Sequence, residues 1–158
     1  MAENLAAVAV EDLVPHRGDM SWLDTVLSAD DETVVAQATV RPDSYFVRDG
    51  RAPVWVGVEY MAQAIAAWAG NRARLKGQAV KVGLLLGTRR YAVHRQAFVV
   101  GDCLRIEARC ELMGDNGLGM FDCRIHDADE TPLATARIAV FEPEDGRAYI
   151  SPSPSTSL

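Results

Sequence analysis

The clearest chemical signal in the sequence is Glu59, a carboxylate surrounded along the chain by apolar residues. It lies within the segment VWVGVEYMAQAI at 54–65, which is otherwise almost entirely hydrophobic. Burying an ionised carboxylate without a partner is costly or raises its pKa. We therefore interpret Glu59 as a functional acid or base that faces a cavity or a subunit interface. The alternative is a structural hydrogen bond that holds the loop before this segment.

Two further residues of the same segment support a site there. Gln63 follows Glu59 by four residues, so on a helix the two side chains share a face and can form a hydrogen bond. Gly57 costs a helix roughly 1 kcal/mol relative to Ala, which predicts the close approach of either another backbone or a ligand. The helix would begin near Val54, where unpaired backbone N–H groups can hold a developing oxyanion such as a thioester carbonyl.

The chain has three histidines, and none lies in the loop just before Glu59. His16 lies in a Val-Pro-His-Arg loop ahead of the first predicted strand, where it is either a loop anchor or a catalytic group. His126 falls on the polar face of its strand, and His94 lies between strands with no evident partner.

Composition excludes several classes of function. The 158 residues carry a formal net charge of −6, which argues against nucleic-acid binding. The three cysteines form no CxxC pattern, so we predict no metal and no cofactor. The longest apolar run, 54–70, is short for a bilayer, and the N-terminus does not resemble a secretory signal, so we expect a cytoplasmic protein. Arg89 and Arg90 form either a docking site for an acidic carrier or a solvated strand end.

The predicted elements are two strands, one long helix and four further strands. Residues 1–10 show no pattern, and residues 145–158 form a polar tail after a single domain at 1–144. In LRIEARCEL, strict alternation predicts five residues on one buried face: Leu104, Ile106, Ala108, Cys110 and Leu112. The strands cover 21–28, 33–40, 81–91, 104–112, 119–126 and 133–141, and the helix covers 54–76.

This helix is apolar on nearly all sides, so other structure must enclose it. The order of elements then predicts an α+β hotdog fold, in which a curled antiparallel sheet wraps around one central helix. A single hotdog leaves one sheet edge open, and pairing two chains at that edge would cover it. We therefore expect a homodimer or a larger oligomer.

Three separated motifs resemble the FabZ-like 3-hydroxyacyl-ACP dehydratases of fatty-acid biosynthesis. They are PHRGDM with WLDTV at 15–26, GVEYMAQAIAAWAG at 57–70 and FVVGDCLRIEA at 98–108. The segments PVWVGVEYMAQAIAAWAG, GLLLGTRRY and GLGMFDCRI are more similar still to the ApeP-like dehydratases of aryl-polyene biosynthesis.

The resemblance implies roles for particular residues. It carries Glu59 to the acidic catalytic position, Gln63 to the glutamine that follows, and His16 to the PHR segment. The catalytic histidine of the loop before the helix does not carry over, because Tyr45 or Asp49 takes its place, depending on the alignment. The group that partners Glu59 must therefore be one of four candidates or come from another protein: Asp49, Tyr45, His16 or His94.

The function implied is dehydration of 3-hydroxyacyl chains, a lyase reaction, on an acyl carrier protein or a CoA thioester. The missing histidine leaves open whether the chain is an enzyme by itself. One alternative is a non-catalytic or weakly active subunit that pairs with a second, histidine-containing hotdog dehydratase. Another is an acyl thioesterase, in which one carboxylate on the helix activates water or attacks directly.

Overall fold

A computed structural model describes residues 2–81 and 83–143. The predicted tail at 145–158 and the domain boundary at 144 lie outside the described residues. Among the described residues, no helix is long and apolar enough to cross a membrane.

The central helix α1 spans Val56–Leu75. It ends where Gly77 adopts a φ of +68°, a left-handed conformation that glycine adopts without strain. The N–H of Gln78 then donates to the carbonyl of Ala73 at 2.9 Å and closes the last turn. Buried positions occur on all sides of the helix, as the apolar sequence predicts: Val56, Gly57, Tyr60, Met61, Gln63, Ala64, Ile65, Ala67, Trp68, Gly70, Asn71 and Ala73.

A seven-stranded antiparallel sheet encloses this helix, with strand order β1-β2-β3-β7-β8-β9-β5. Strands β4 and β6 pair in a separate ribbon beside the start of the helix. The α+β hotdog prediction is therefore confirmed in architecture. The strands span Glu3–Asn4 (β1), Thr25–Ala29 (β2), Thr33–Thr39 (β3), Arg51–Pro53 (β4), Leu84–Val93 (β5), Ala97–Val99 (β6), Cys103–Met113 (β7), Leu118–His126 (β8) and Pro132–Phe141 (β9).

The alternation predicted for β7 holds only over its first half. Leu104, Ile106 and Ala108 are fully buried, whereas Leu112 is 67% exposed and Cys110 is half-buried. A register shift between Cys110 and Leu112 in the pairing with β8 explains the exposure of Leu112. An extra residue in one strand turns the following side chains to the other face.

The N-terminal residues are also more ordered than the sequence predicts. Leu5 is fully buried, and its N–H donates to the carbonyl of Leu27 at 3.0 Å. The two residues before it form β1, which pairs with β2. The prediction that residues 1–10 form no regular structure is therefore wrong. One buried leucine and two strand residues are too short a pattern to detect in the sequence.

The loop that follows these residues is pressed against α1 at a glycine. A Cβ added to Gly70 would lie 1.7 Å from the carbonyl oxygen of Leu13. Only glycine lets the backbone of this loop come so close to the helix. Gly70 therefore fixes the height along the helix at which the loop crosses it.

We expect Gly70→Ala to lower the free energy of unfolding by about 1–3 kcal/mol, because the added methyl overpacks this contact. Urea denaturation followed by circular dichroism would measure the change. Gly87→Ala is a matched control, since nothing lies within 4 Å of its added Cβ, and it should shift stability by about 0.5 kcal/mol or less. Equal losses in the two variants would contradict the packing described here.

Candidate functional site

The site is organised by Gln63, whose side chain is fully buried on α1. Its Oε1 accepts the N–H of Trp22 at 2.8 Å. Its Nε2 donates to the carbonyl of Met20 at 2.8 Å and to Oε1 of Glu59 at 2.9 Å. The amide is thus well satisfied, as a buried polar group must be. It joins the loop before β2 to the carboxylate of Glu59.

His16 lies beside the same carboxylate oxygen of Glu59. Its Nε2 is 3.7 Å from Oε1 of Glu59, and the two side chains are 26% and 30% exposed, respectively. The predicted hydrogen bond between Gln63 and Glu59 is thus present in the site. The loop residue His16 lies next to the carboxylate of this pair. Of the four candidate partners for Glu59, the structure places His16 beside it. The Nδ1 atom of His16 is buried and has no hydrogen-bond partner among the described residues.

Arg17 holds the loop that carries this histidine. Its guanidinium donates to the carbonyls of Val14 at 2.6 Å, His16 at 2.8 Å and Glu11 at 2.9 Å. Three acceptors from one short loop match the several donors of a planar guanidinium. Together with the Leu13–Gly70 contact, they set the position of the imidazole. The sequence alone does not predict this role, and its only signal is that Arg17 follows His16 in the PHR motif.

The surroundings keep His16 uncharged. Burial is the largest influence and lowers the pKa of His16 below its ordinary value of 6.5. The nearby carboxylate of Glu59 raises the pKa and the Arg17 guanidinium lowers it, but burial prevails. At neutral pH the imidazole is therefore neutral and one of its nitrogens can accept a proton.

A cavity of about 190 Å³ opens from His16 and Glu59 and runs along α1 beneath the sheet. Its walls are mainly apolar, and small alanines on the helix leave the space open. The apolar lining beyond these two residues includes Ala62, Ile65, Ala66, Ala69, Leu84, Leu85, Met113, Phe121 and Val140.

The other predicted binding residues lie elsewhere in the described part of the chain. Tyr45 is 70% exposed and packs edge-on against Phe46, with ring centroids 5.3 Å apart. Asp49 occupies a tight turn with a φ of +53°. Neither residue lines the cavity beside Glu59.

One backbone N–H group near the helix start, where oxyanion donors were expected, already has an acceptor. The N–H of Gly57 donates to the carbonyl of Val54 at 3.2 Å. That carbonyl also accepts the hydroxyl of Tyr91. A Cβ on Gly57 would lie 2.2 Å from this hydroxyl. The close approach predicted for Gly57 is therefore real, but a side chain occupies the space rather than a backbone or a ligand, and no sequence pattern indicated Tyr91.

Arg89 and Arg90 are exposed on β5, the last strand of the sheet. Arg90 has a φ of +55° where the pairing with β9 shifts register. Within the described part of the chain, neither guanidinium group is engaged by another side chain. Both can therefore contact a partner protein. A role in carrier docking stays a prediction.

The half-buried, neutral state of His16 predicts a pH dependence of stability. Because its pKa is lower in the folded than in the unfolded chain, the unfolded chain binds the proton more readily, and stability falls as pH drops through about 6.5. We expect the wild type to lose more stability between about pH 7.5 and about pH 5.5 than His16→Gln does. Denaturation at both pH values would test this, and identical slopes would contradict the assignment.

A family model described as "ApeP-like: ApeP dehydratase" matches residues 8–151. The dehydratase heterocomplex ApeI:P from Xenorhabdus doucetiae contains a similar chain, with a TM-score of 0.80 and 33% identity over 86% of this chain and 91% of that chain. A search of curated proteins gave no match.

Two more distant structures show the fold alone. A hypothetical thioesterase with coenzyme A from Streptococcus pneumoniae TIGR4 is 17% identical, with a TM-score of 0.58 over 74% of this chain and 83% of that chain. The PaaI protein of E. coli, from the phenylacetic acid degradation operon, is also 17% identical, with a TM-score of 0.58 over 73% of this chain and 80% of that chain. The family match and the ApeI:P structure decide the relationship, and the chain belongs to the ApeP-like dehydratase family of hotdog proteins.

Proposed function

We propose that this chain dehydrates 3-hydroxyacyl thioesters, with the acyl group carried on an acyl carrier protein in fatty-acid or aryl-polyene type biosynthesis. The observation that carries the proposal is the pairing of Glu59 and His16 at one end of an apolar cavity. An acyl chain would lie in that cavity, while its thioester end would meet the two titratable groups.

The two side chains can supply the acid and the base that dehydration needs. The neutral imidazole of His16 takes the C2 proton, and the electron pair forms the C2–C3 double bond as the C3–O bond breaks. Glu59 donates a proton to the departing hydroxyl, which leaves as water. The proton on the imidazole then returns to Glu59, 3.7 Å away, through one bridging water and restores both groups.

Gln63 is a positioning residue in this scheme. Its Nε2 donates to Glu59, while its other hydrogen bonds tie it to the backbone at Met20 and Trp22. The carboxylate is thereby held in one orientation toward the histidine and the cavity.

We expect Glu59→Gln to lower the rate of dehydration of a 3-hydroxyacyl-ACP by at least ~100-fold, because it removes the proton donor. Glu32→Gln is the control, since Glu32 is exposed on the surface and its ion pair with Arg109 is long, at 3.6 Å. Formation of the 2-enoyl product would be followed by mass spectrometry. Unchanged turnover in Glu59→Gln would remove this residue from the mechanism.

The same assay separates dehydration from the thioesterase alternative. Dehydration leaves the thioester intact, whereas hydrolysis releases a free thiol that a colorimetric reagent detects. Thiol release without any enoyl product would replace the proposed reaction with hydrolysis.

We further propose that β5 pairs with another hotdog subunit. This strand ends the sheet and exposes Leu85 and Leu86, which are 46% and 56% exposed. An exposed apolar edge strand is a template for pairing with a further strand. The similar ApeI:P structure is a heterocomplex of dehydratases, which favours a second hotdog dehydratase over a second copy of this chain. Arg89 and Arg90 on the same strand remain the proposed carrier-docking residues.

We expect Leu86→Arg to weaken this association, because a charge would replace an apolar contact at the sheet edge. Leu112→Arg is the matched control, since Leu112 is equally apolar and 67% exposed but belongs to β7 inside the sheet. Size-exclusion chromatography with light scattering, with and without a co-expressed histidine-containing hotdog dehydratase, would measure the assembly. Loss of the complex in both variants or in neither would contradict pairing through β5.

A further inference from the structure

The edge strand β5 carries an uncompensated positive charge on the outer face of the sheet. Arg89 lies directly opposite Arg137 of β9, so the two side chains share one face. That face is the outer one, because Ala136 and Ile138, on either side of Arg137, are buried in the core. Like charges placed directly opposite one another destabilise a sheet. A negative group beside this pair would relieve the repulsion.

The described residues supply such a group to Arg137 but not to Arg89. The guanidinium of Arg137 forms an ion pair with Glu111. Asp122 of β8, on the other side of Arg137, pairs with Arg124 instead. Arg89 is exposed, and no carboxylate of the described residues lies within ion-pair distance of it. Because β5 ends the sheet, the side still open next to Arg89 is the one where another strand would pair.

A second copy of this chain would bring a further positive charge to that side. A two-fold axis through the sheet would pair β5 with its own copy in antiparallel fashion and keep both outer faces together. Since directly opposite residues share a face, one residue must then lie opposite its own copy. The centre of β5, Leu84–Val93, falls between Thr88 and Arg89. If Arg89 is the central residue, the two Arg89 side chains lie opposite each other, about 5 Å apart at Cβ; if Thr88 is, they are diagonal neighbours about 7–8 Å apart.

We propose that β5 selects its partner by charge. It pairs with a hotdog subunit whose edge strand places a carboxylate beside Arg89, and it rejects a second copy of its own chain. This inference rests on the proposed pairing through β5 and adds the chemistry that decides which strand pairs there. The exposed Leu85 and Leu86 fit either partner, whereas like charges act against the wrong one. The assignment gives Arg89 to the partner subunit and leaves carrier docking to Arg90.

The test uses the charge-reversed variant Arg89→Glu as the acidic partner, because its β5 is otherwise identical to that of the wild type. Fluorescence-detected sedimentation measures the association of wild type with itself, of the variant with itself, and of the two together. We expect the mixed pair to associate about tenfold more tightly than either self-pair, because only the mixed pair joins Arg89 to a carboxylate. Raising the salt to about 1 M should remove most of this difference.

Arg105→Glu is the matched control. Arg105 is exposed on β7, inside the sheet, and the substitution changes the net charge of the chain by the same amount. Mixed with wild type, this variant should associate no more tightly than wild type does with itself. Arg89→Gln removes the charge without reversing it, so it should self-associate more tightly than wild type. It also serves as the second variant if Arg89→Glu folds poorly.

Absence of mixed pairs, self-pairs of wild type as tight as the mixed pair, or a preference unchanged by salt would overturn selection by charge. Adding Leu86→Arg to the Arg89→Glu chain tests the pairing itself, since mixed pairs that persist in this double variant would mean that β5 is not the contact. Dehydration is assayed separately with carrier-linked and N-acetylcysteamine thioesters. If Arg89→Glu slows only the carrier-linked substrate and leaves association unchanged, Arg89 belongs to carrier docking and the inference fails, while the proposed reaction stands.

Discussion

A buried amide on an enclosed helix constrains this structure more than any other contact. Gln63 has no access to water, so each of its hydrogen bonds must come from protein. Two of them come from the backbone at Met20 and Trp22. The chain entering β2 must therefore pass directly over the helix at this height. The third bond goes to Glu59, so the need to satisfy one buried amide also orients the carboxylate.

The loop that precedes this passage is fixed by two further contacts of different kinds. Gly70 lets the backbone at Leu13 contact the helix. The Arg17 guanidinium donates hydrogen bonds to three backbone carbonyls of the loop. Neither contact involves the imidazole ring of His16. A histidine at a loop can therefore be held beside Glu59 without using its own nitrogens as anchors. This leaves Nε2 facing the carboxylate and the cavity mouth.

The sequence predicted well those features that depend on residues close together in the chain. The helix, most of the strands and the Gln63–Glu59 hydrogen bond follow from periodicity and from an i, i+4 spacing. Contacts between distant segments could not be predicted. Trp22 meets Gln63 across 41 residues, and this bond replaces the ladder pairing that the pattern at 21–28 suggested. His16 was only one of four candidates for the same reason, since no local pattern says which loop crosses the helix beside Glu59.

A single helix face links the reactive groups to the path of the chain. Glu59, Ala62, Ala66 and Ala69 recur at intervals of three or four residues, so they form one stripe. Alanine suits this stripe because it supports the helix strongly and has too small a side chain to fill the space beside the sheet. A larger apolar residue at any of these positions would bury more surface but close the cavity. The helix thus buries less apolar surface than larger residues would allow, and the cavity beside it stays open. In a core helix without a ligand, packing alone would favour filling this space.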